Sequence, residues 1–298
     1  MAEVAALDFT RERRAVAAAL ETFCARHLGD APGPVGEAIR YSLLGAGKRL
    51  RAILVFEAYR AAGGSGDPCE LAAAVEVVHA YSLVHDDLPC MDDDDMRRGR
   101  PTTHIVHGIA AATAAGLAMV PLAARTAYAG ARGLGLDECE AGAIVRELMA
   151  AAGGAGMIGG QLLDLDGERR PLELPELERI HRLKTGALIT ASVRLGGLAA
   201  RVAPDGLAAL TEYGDAIGLA FQIADDVLDV TATTEVLGKT AGRDVALAKS
   251  TYPALLGIEG AVARADALVA QGCAALAGAG LLTPALEQLA RYSVARPS

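Results

Sequence analysis

Phe221-Gln222-Ile223-Ala224-Asp225-Asp226-Val227-Leu228-Asp229 places three carboxylates at i, i+1 and i+4 among apolar neighbours. On a helix, Asp225 and Asp229 share a face one turn apart, with Asp226 about 100° around it. Carboxylates crowded on a mostly apolar helix repel one another and lose hydration, so they need cations to stay ionised. The stretch therefore predicts a helix that belongs to the core and to a site at once. Outward from it, most segments between Gly/Pro punctuation are 15 to 30 residues long, rich in Ala, Leu, Glu and Arg, with apolar residues at helical spacing. Val16, Leu20 and Phe23 mark one stripe; Leu71, Val75, Val78 and Ser82 mark another. No period-two run rich in Val, Ile, Thr and aromatics marks a strand. The fold class read from this is all-α.

Connections are expected at Asp30–Gly36, Gly63–Pro68, Asp166–Pro175, Pro204–Gly206 and Thr231–Asp244. Composition does not shift across any of them, which predicts a single domain over residues 1–298. With 52% apolar and 22% charged residues, the chain can bury a large core. Ile105 to Ala124 carries no formal charge for twenty residues. Its many Ala and Gly residues, and His107, Thr113 and Pro121, favour a closely packed core helix over a membrane span. The five scattered cysteines have no CxxC spacing, which reads as reduced thiols and a cytoplasmic location. Acidic residues early in the chain argue against a signal peptide.

The formal charge is −9 and the sequence pI about 5.2, the wrong sign for binding nucleic acid through its phosphates. That charge is concentrated. Asp86, Asp87, Asp92, Asp93, Asp94 and Asp95 fall within ten residues, and with Asp225, Asp226 and Asp229 set aside the remaining 28 acidic side chains balance 28 basic ones. The first cluster reads DDxxxxD from Asp86 to Asp92, with Arg97-Arg98 just beyond it. Pro89 removes a helix hydrogen bond and is expected to end or kink the helix, bringing Asp92 back near Asp86. An EF-hand would need an oxygen ligand and a glycine where Met96 and Arg97 stand. Arginines beside metal-binding aspartates make sense when a phosphate lies between them, and Mg²⁺ suits such a site because it takes few carboxylates and completes its shell with water and substrate phosphate.

Lys48 and Arg51, at i and i+3, share a helix face. Gly47-Lys48 is not a nucleotide-binding loop, because Ser42 and Arg49 stand where that motif needs Gly and Ser/Thr. Lys184-Thr185-Gly186 and Lys239 supply further candidate phosphate cations.

Together these segments resemble the trans-isoprenyl diphosphate synthases, in order along nearly the whole chain: Lys48-Arg49-Leu50-Arg51, His79 to Asp87, Arg97-Arg98-Gly99, Gly160-Gln161, Lys184-Thr185-Gly186, Phe221 to Asp229, and Lys249-Ser250-Thr251-Tyr252-Pro253. The resemblance implies a prenyltransferase joining isopentenyl diphosphate to an allylic diphosphate. It implies that Asp86, Asp87 and Asp92, facing Asp225, Asp226 and Asp229, hold three Mg²⁺ ions, with Mn²⁺ an alternative. Arg97, Lys184 and Lys239 would stabilise the leaving diphosphate. Lys48, Arg51, His79 and Arg98 would anchor isopentenyl diphosphate, while Thr185 and Gln222 would offer oxygens to the allylic cation. An aromatic residue at Tyr81 with the inserted Pro89-Cys90 resembles the bacterial-type farnesyl diphosphate synthases and implies a C15 product. Ser82 and Tyr81 lie about 6–7.5 Å below Asp86 along the helix, where Tyr81 would act as a floor. C20 or C10 synthases, a class I terpene cyclase and a silent partner subunit are the competing readings, and a homodimer is expected. Two departures from the family pattern, Ala46 and Ala52 where Gly and Pro are usual, leave the charged side chains in place.

Overall fold

Runs of strong helix formers broken by Gly and Pro build a helix wherever one face can be buried. The computed structural model describes residues 9–29, 33–45, 47–168, 170–231 and 250–295. In chain order these form α1 (Thr10–Leu28), α2 (Pro34–Leu43), α3 (Leu50–Ala61), α4 (Cys69–Asp86), α5 (Thr103–His107), α6 (Ile109–Gly133), α7 (Glu138–Ala152), α8 (Met157–Gly167), α9 (Leu174–His181), α10 (Ala187–Ala199), α11 (Pro204–Thr231), α12 (Tyr252–Gly278) and α13 (Pro284–Val294). The all-α expectation holds. The sole sheet among the described residues is a two-residue hairpin, β1 (Met96–Arg97) against β2 (Arg100–Pro101). The expected connection at 231–244 and Lys239 lie, but for Thr231, outside the described residues. The expected connection at Pro204–Gly206 is instead the first turn of α11, where the missing proline N–H costs nothing.

The α4 helix is central. Leu71 through Val78 are all buried, so the single stripe read from the sequence understates a helix covered nearly all round. It packs mainly on α6, while α11 packs on α12 and α10 lies between α3 and α11. One apolar cluster gathers around α4 and α6 and a second around α11 and α12.

The uncharged run at 105–124 departs from the core-helix expectation. It is broken at Gly108, whose φ of 84° an L side chain rarely adopts. Beyond the break, α6 buries Ala112, Ala115, Gly116, Met119 and Ala123 but leaves Ile109 and Leu117 exposed. Close approach is real on the buried face: a Cβ at Gly116 would fall 2.0 Å from His85 Nε2. By length and composition α6 could cross a membrane, as could the stretch Glu138–Gly167, but the latter is split into α7 and α8 by the residues 153–156.

Candidate active site

A cavity of about 1050 Å³ opens between α3, α4, α8, α9, α11 and α13. The second acidic segment is helical to Thr231, as its spacing predicted. The first ends α4 at Asp86, and the chain then turns back so that the Asp92 N–H donates to the Asp86 carbonyl at 2.8 Å. Pro89 thus does what its chemistry requires, and Asp86 and Asp92 both reach the cavity wall. Asp225 and Asp226 reach it from α11. Asp87 and Asp229 are buried behind it, at 3% and 4% exposure.

The arginines after the first cluster are placed by a device the sequence reading missed. Arg98 and Gly99 both have positive φ, 53° and 72°, the two-residue turn that matches hairpin twist. The hairpin brings Arg97 back onto Asp87, with Nε donating to Oδ1 at 2.7 Å. Asp87 therefore orients Arg97 at the cavity edge. Burial pushes the Asp87 carboxyl up despite that partner.

Lys184 and Thr185 sit on a single π-helical turn, Arg182–Gly186, between α9 and α10. Such a bulge re-aims side chains and is common at functional sites. Its backbone presses on α8: a Cβ at Gly160 would stand 2.2 Å from the Lys184 nitrogen, so only glycine permits this approach. Lys184 Nζ donates to Asp164 Oδ2 at 2.6 Å. Burial works against its charge, but Asp164, Asp92 and Asp86 together outweigh burial and hold its pKa above the ordinary value. Asp164 was not among the predicted site residues; its signal was an acid four positions after Gly160 on a mostly apolar helix.

Lys48, Arg51, His79 and Arg98 line the same cavity. Burial, then Arg51, Arg98, Arg97 and Arg49, push the His79 pKa well below its usual value. His79 is therefore neutral, and its Nε2 lies 3.4 Å from Arg51 Nη1. Arg49 also lines the cavity but is committed to Glu76 at 3.1 Å and to the carbonyls of Leu43 and Gly45; with a φ of 54° it caps α3, so Lys48 stands in the turn before the helix and does not share a helix face with Arg51 as its spacing predicted. Lys48 Nζ stands 5.8 Å from the Tyr292 ring centroid, so α13 contributes to the wall beside it. Tyr292 was also missed.

Ser82 and Leu83 form the wall beneath Asp86. Four and three residues back along a helix, they share its face, whereas Tyr81 is about 140° around. Tyr81 is buried with its ring edge on His85, centroids 5.0 Å apart.

Behind Asp225, a hydrogen-bond chain runs through α11. Thr185 Oγ1 donates to Gln222 Oε1 at 2.9 Å, and Gln222 Nε2 donates to Asp226 Oδ1 at 3.3 Å. Asp226 Oδ2 takes the Tyr252 backbone N–H at 3.1 Å and lies 3.3 Å from His181 Nε2.

The carboxylate-rich wall fits a hard divalent cation. Burial is the main force raising Asp86 to about 6; Lys184 and Arg97 oppose it, while Asp92 and Asp87 add to it. Among the described residues no group of three or more His, Cys, Asp or Glu side chains is placed to hold a metal ion by itself. Mg²⁺ needs fewer protein ligands than that, because substrate phosphates and waters complete its shell.

One cavity lined by Asp86 and Asp92 from the first acidic segment, Asp225 and Asp226 from the second, and Lys48, Arg51, Arg97, Arg98 and Lys184 suits a helical enzyme that handles diphosphates. The polyprenyl synthetase family matches residues 34–274, and the chain belongs to that family. It is 45% identical to the farnesyl diphosphate synthase of Escherichia coli (strain K12), over 97% of this chain and 99% of that one. It is also 45% identical to geranylgeranyl pyrophosphate synthase 9, chloroplastic, of Arabidopsis thaliana, over 77% of this chain and 64% of that one. The crystal structure of a geranyltransferase from Helicobacter pylori, complexed with magnesium and isoprenyl diphosphate, superposes with a TM-score of 0.76 at 30% identity, covering 96% of this chain and 97% of that one.

Proposed function

We propose that the chain condenses isopentenyl diphosphate with dimethylallyl and then geranyl diphosphate to give farnesyl diphosphate. The observation that carries this reading is one cavity holding Asp86 and Asp92 on one rim, Asp225 on the other, and Lys48, Arg51, His79 and Arg98 beyond them. Residues from α1 to α13 line it, which supports reading the chain as one catalytic unit. Support comes from the similarity over almost the full length of the E. coli farnesyl diphosphate synthase.

Asp86, Asp92 and Asp225 would hold Mg²⁺ at the wall, which Asp226 also lines, with Asp87 and Asp229 buried behind it; three ions per site is the stoichiometry we infer, Mn²⁺ being the alternative. When bound, the ions offset the charge of the allylic diphosphate and make it a better leaving group. Arg97 and Lys184, with Lys239, hold the oxygens of that group as the allylic C–O bond breaks and the diphosphate takes the electron pair. Thr185 and Gln222 turn oxygen toward the cation left behind. Lys48, Arg51 and Arg98 grip the second diphosphate, and neutral His79 can donate a ring N–H to it. That grip sets the isopentenyl double bond over the cation. The alkene forms the new C–C bond, and a proton passes to the departed diphosphate, regenerating an alkene.

Ser82 and Leu83 form the wall beneath Asp86, and Tyr81 backs it as the proposed floor for a C15 chain. A C20 product is the second reading, favoured by the similarity to the Arabidopsis geranylgeranyl synthase. Ile105, Val106, Ile109 and Leu117 expose an apolar face on α5 and α6, which supports a homodimer. The five cysteines are free thiols, in keeping with a reducing, cytoplasmic setting. The reading is tested with Asp86→Ala and Asp225→Ala: each is expected to lower turnover by at least about 10²-fold, and wild-type rates in both would overturn it.

A further inference from the structure

Asp226 belongs to the acidic motif, yet both of its oxygens are committed to protein donors. Oδ2 accepts the Tyr252 backbone N–H, beside His181, and Oδ1 accepts Gln222 Nε2. It is 4% exposed. A carboxylate only accepts, so the amide of Gln222 must present its NH₂ to Asp226 and its carbonyl to Thr185. Thr185 then has one proton to give and gives it to Gln222. Its remaining lone pairs are left for the cavity, which both Thr185 and Gln222 line.

Resting on the prenyltransferase reading, we propose that Asp226 is a positioning residue and not a metal ligand: through Gln222 it sets the polarity of Thr185, so that oxygen lone pairs and not an O–H face the reacting carbon. An allylic cation is stabilised by lone pairs and destabilised by the positive end of an O–H dipole. The buried ends of the chain hold this polarity in place. The Tyr252 N–H can only donate, and His181, 8% exposed, stacks on the Tyr252 ring with centroids 5.8 Å apart.

The proposal makes the isosteric change informative. In Asp226→Asn the single side-chain oxygen stays with the Tyr252 N–H and the new NH₂ faces Gln222. Gln222 must turn over to accept it, placing its own NH₂ against Thr185 and releasing the Thr185 proton into the cavity. The expected result is kcat at least about tenfold lower, with both KM values, the Mg²⁺ half-saturation and the melting temperature close to wild type. Gln222→Glu alone sets two carboxylates against each other and is also impaired. The double variant Asp226→Asn/Gln222→Glu restores the order of donors and acceptors and is expected to recover kcat to within about threefold of wild type. If Asp226→Asn melts early, the test rests on the recovery of kcat in the double variant over Gln222→Glu alone, since both carry the same change at Gln222. Wild-type turnover of both substrates is measured first, because its absence refutes the prenyltransferase reading and not the relay. With that established, an unchanged kcat in Asp226→Asn, a loss of Mg²⁺ affinity in that variant, or no recovery in the double variant overturns the proposal.

Discussion

Asp86→Asn should make the metal-free protein more stable while disabling it. Burial, reinforced by the neighbouring Asp92 and Asp87, raises the Asp86 carboxyl from 3.8 to about 6. A folded-state pKa above the unfolded one contributes stability at low pH that is lost as pH rises. For Asp86 that contribution is intact below about pH 4 and has largely gone above about pH 6. The difference at pH 7.5 corresponds to about 3 kcal/mol. Asparagine removes the charge and keeps the shape, so the metal-free variant should gain up to about that amount, roughly 5 °C in melting temperature for a chain of this size. At pH 4 the gain should shrink to about 0.5 kcal/mol, because the native carboxyl is then largely protonated. The assay is thermal or urea unfolding in the presence of a chelator at both pH values, repeated with Mg²⁺ and an allylic diphosphate. Ligand should raise the wild-type melting temperature by mass action and the variant's much less. A variant no more stable than wild type at pH 7.5, or equally more stable at pH 4, refutes the reasoning that this wall is short of positive charge until cations arrive.

Tyr81→Ala should deepen the blind end below Ser82 and Leu83, and product chromatography should show chains longer than C15; unchanged C15 output removes Tyr81 as the floor. Gly160→Ala should force α8 off the π-turn that carries Lys184, costing about 1–3 kcal/mol and lowering kcat, measured by unfolding and steady-state kinetics; a neutral result would mean the close contact is easily relieved. Asp164→Asn leaves Lys184 to pair with Asp86 and Asp92, where it competes with divalent cations. The Mg²⁺ concentration for half-maximal rate should rise by about tenfold, and an unchanged Mg²⁺ titration contradicts that role.

Much of this was legible in the chain because its signals are local. Apolar spacing and Ala-rich composition called for helices, and Pro89 alone argued that the chain turns back to bring Asp92 to Asp86, as the 2.8 Å bond between their backbones confirms. What escaped depends on contacts between distant segments or on departures from regular geometry. The π-turn at Lys184 and Thr185 has the composition of an ordinary helix, and only the pressure of α8 at Gly160 distinguishes it. The hairpin at Arg98-Gly99 is too short to show strand periodicity. Asp164 and His181 lie outside the acid clusters and acquire meaning only when α8 and α9 are packed against α4 and α11. The break at Gly108 was hidden by reading 105–124 for charge and length and not for backbone conformation.

The most direct test of the central claim is product analysis. The purified full-length chain is incubated with labelled isopentenyl diphosphate and dimethylallyl or geranyl diphosphate, with Mg²⁺ or with chelator, and the dephosphorylated products are separated by chromatography. The account predicts Mg²⁺-dependent incorporation of label from either starter, ending at C15. Label remaining in isopentenyl diphosphate while the allylic substrate is cyclised or untouched would contradict it.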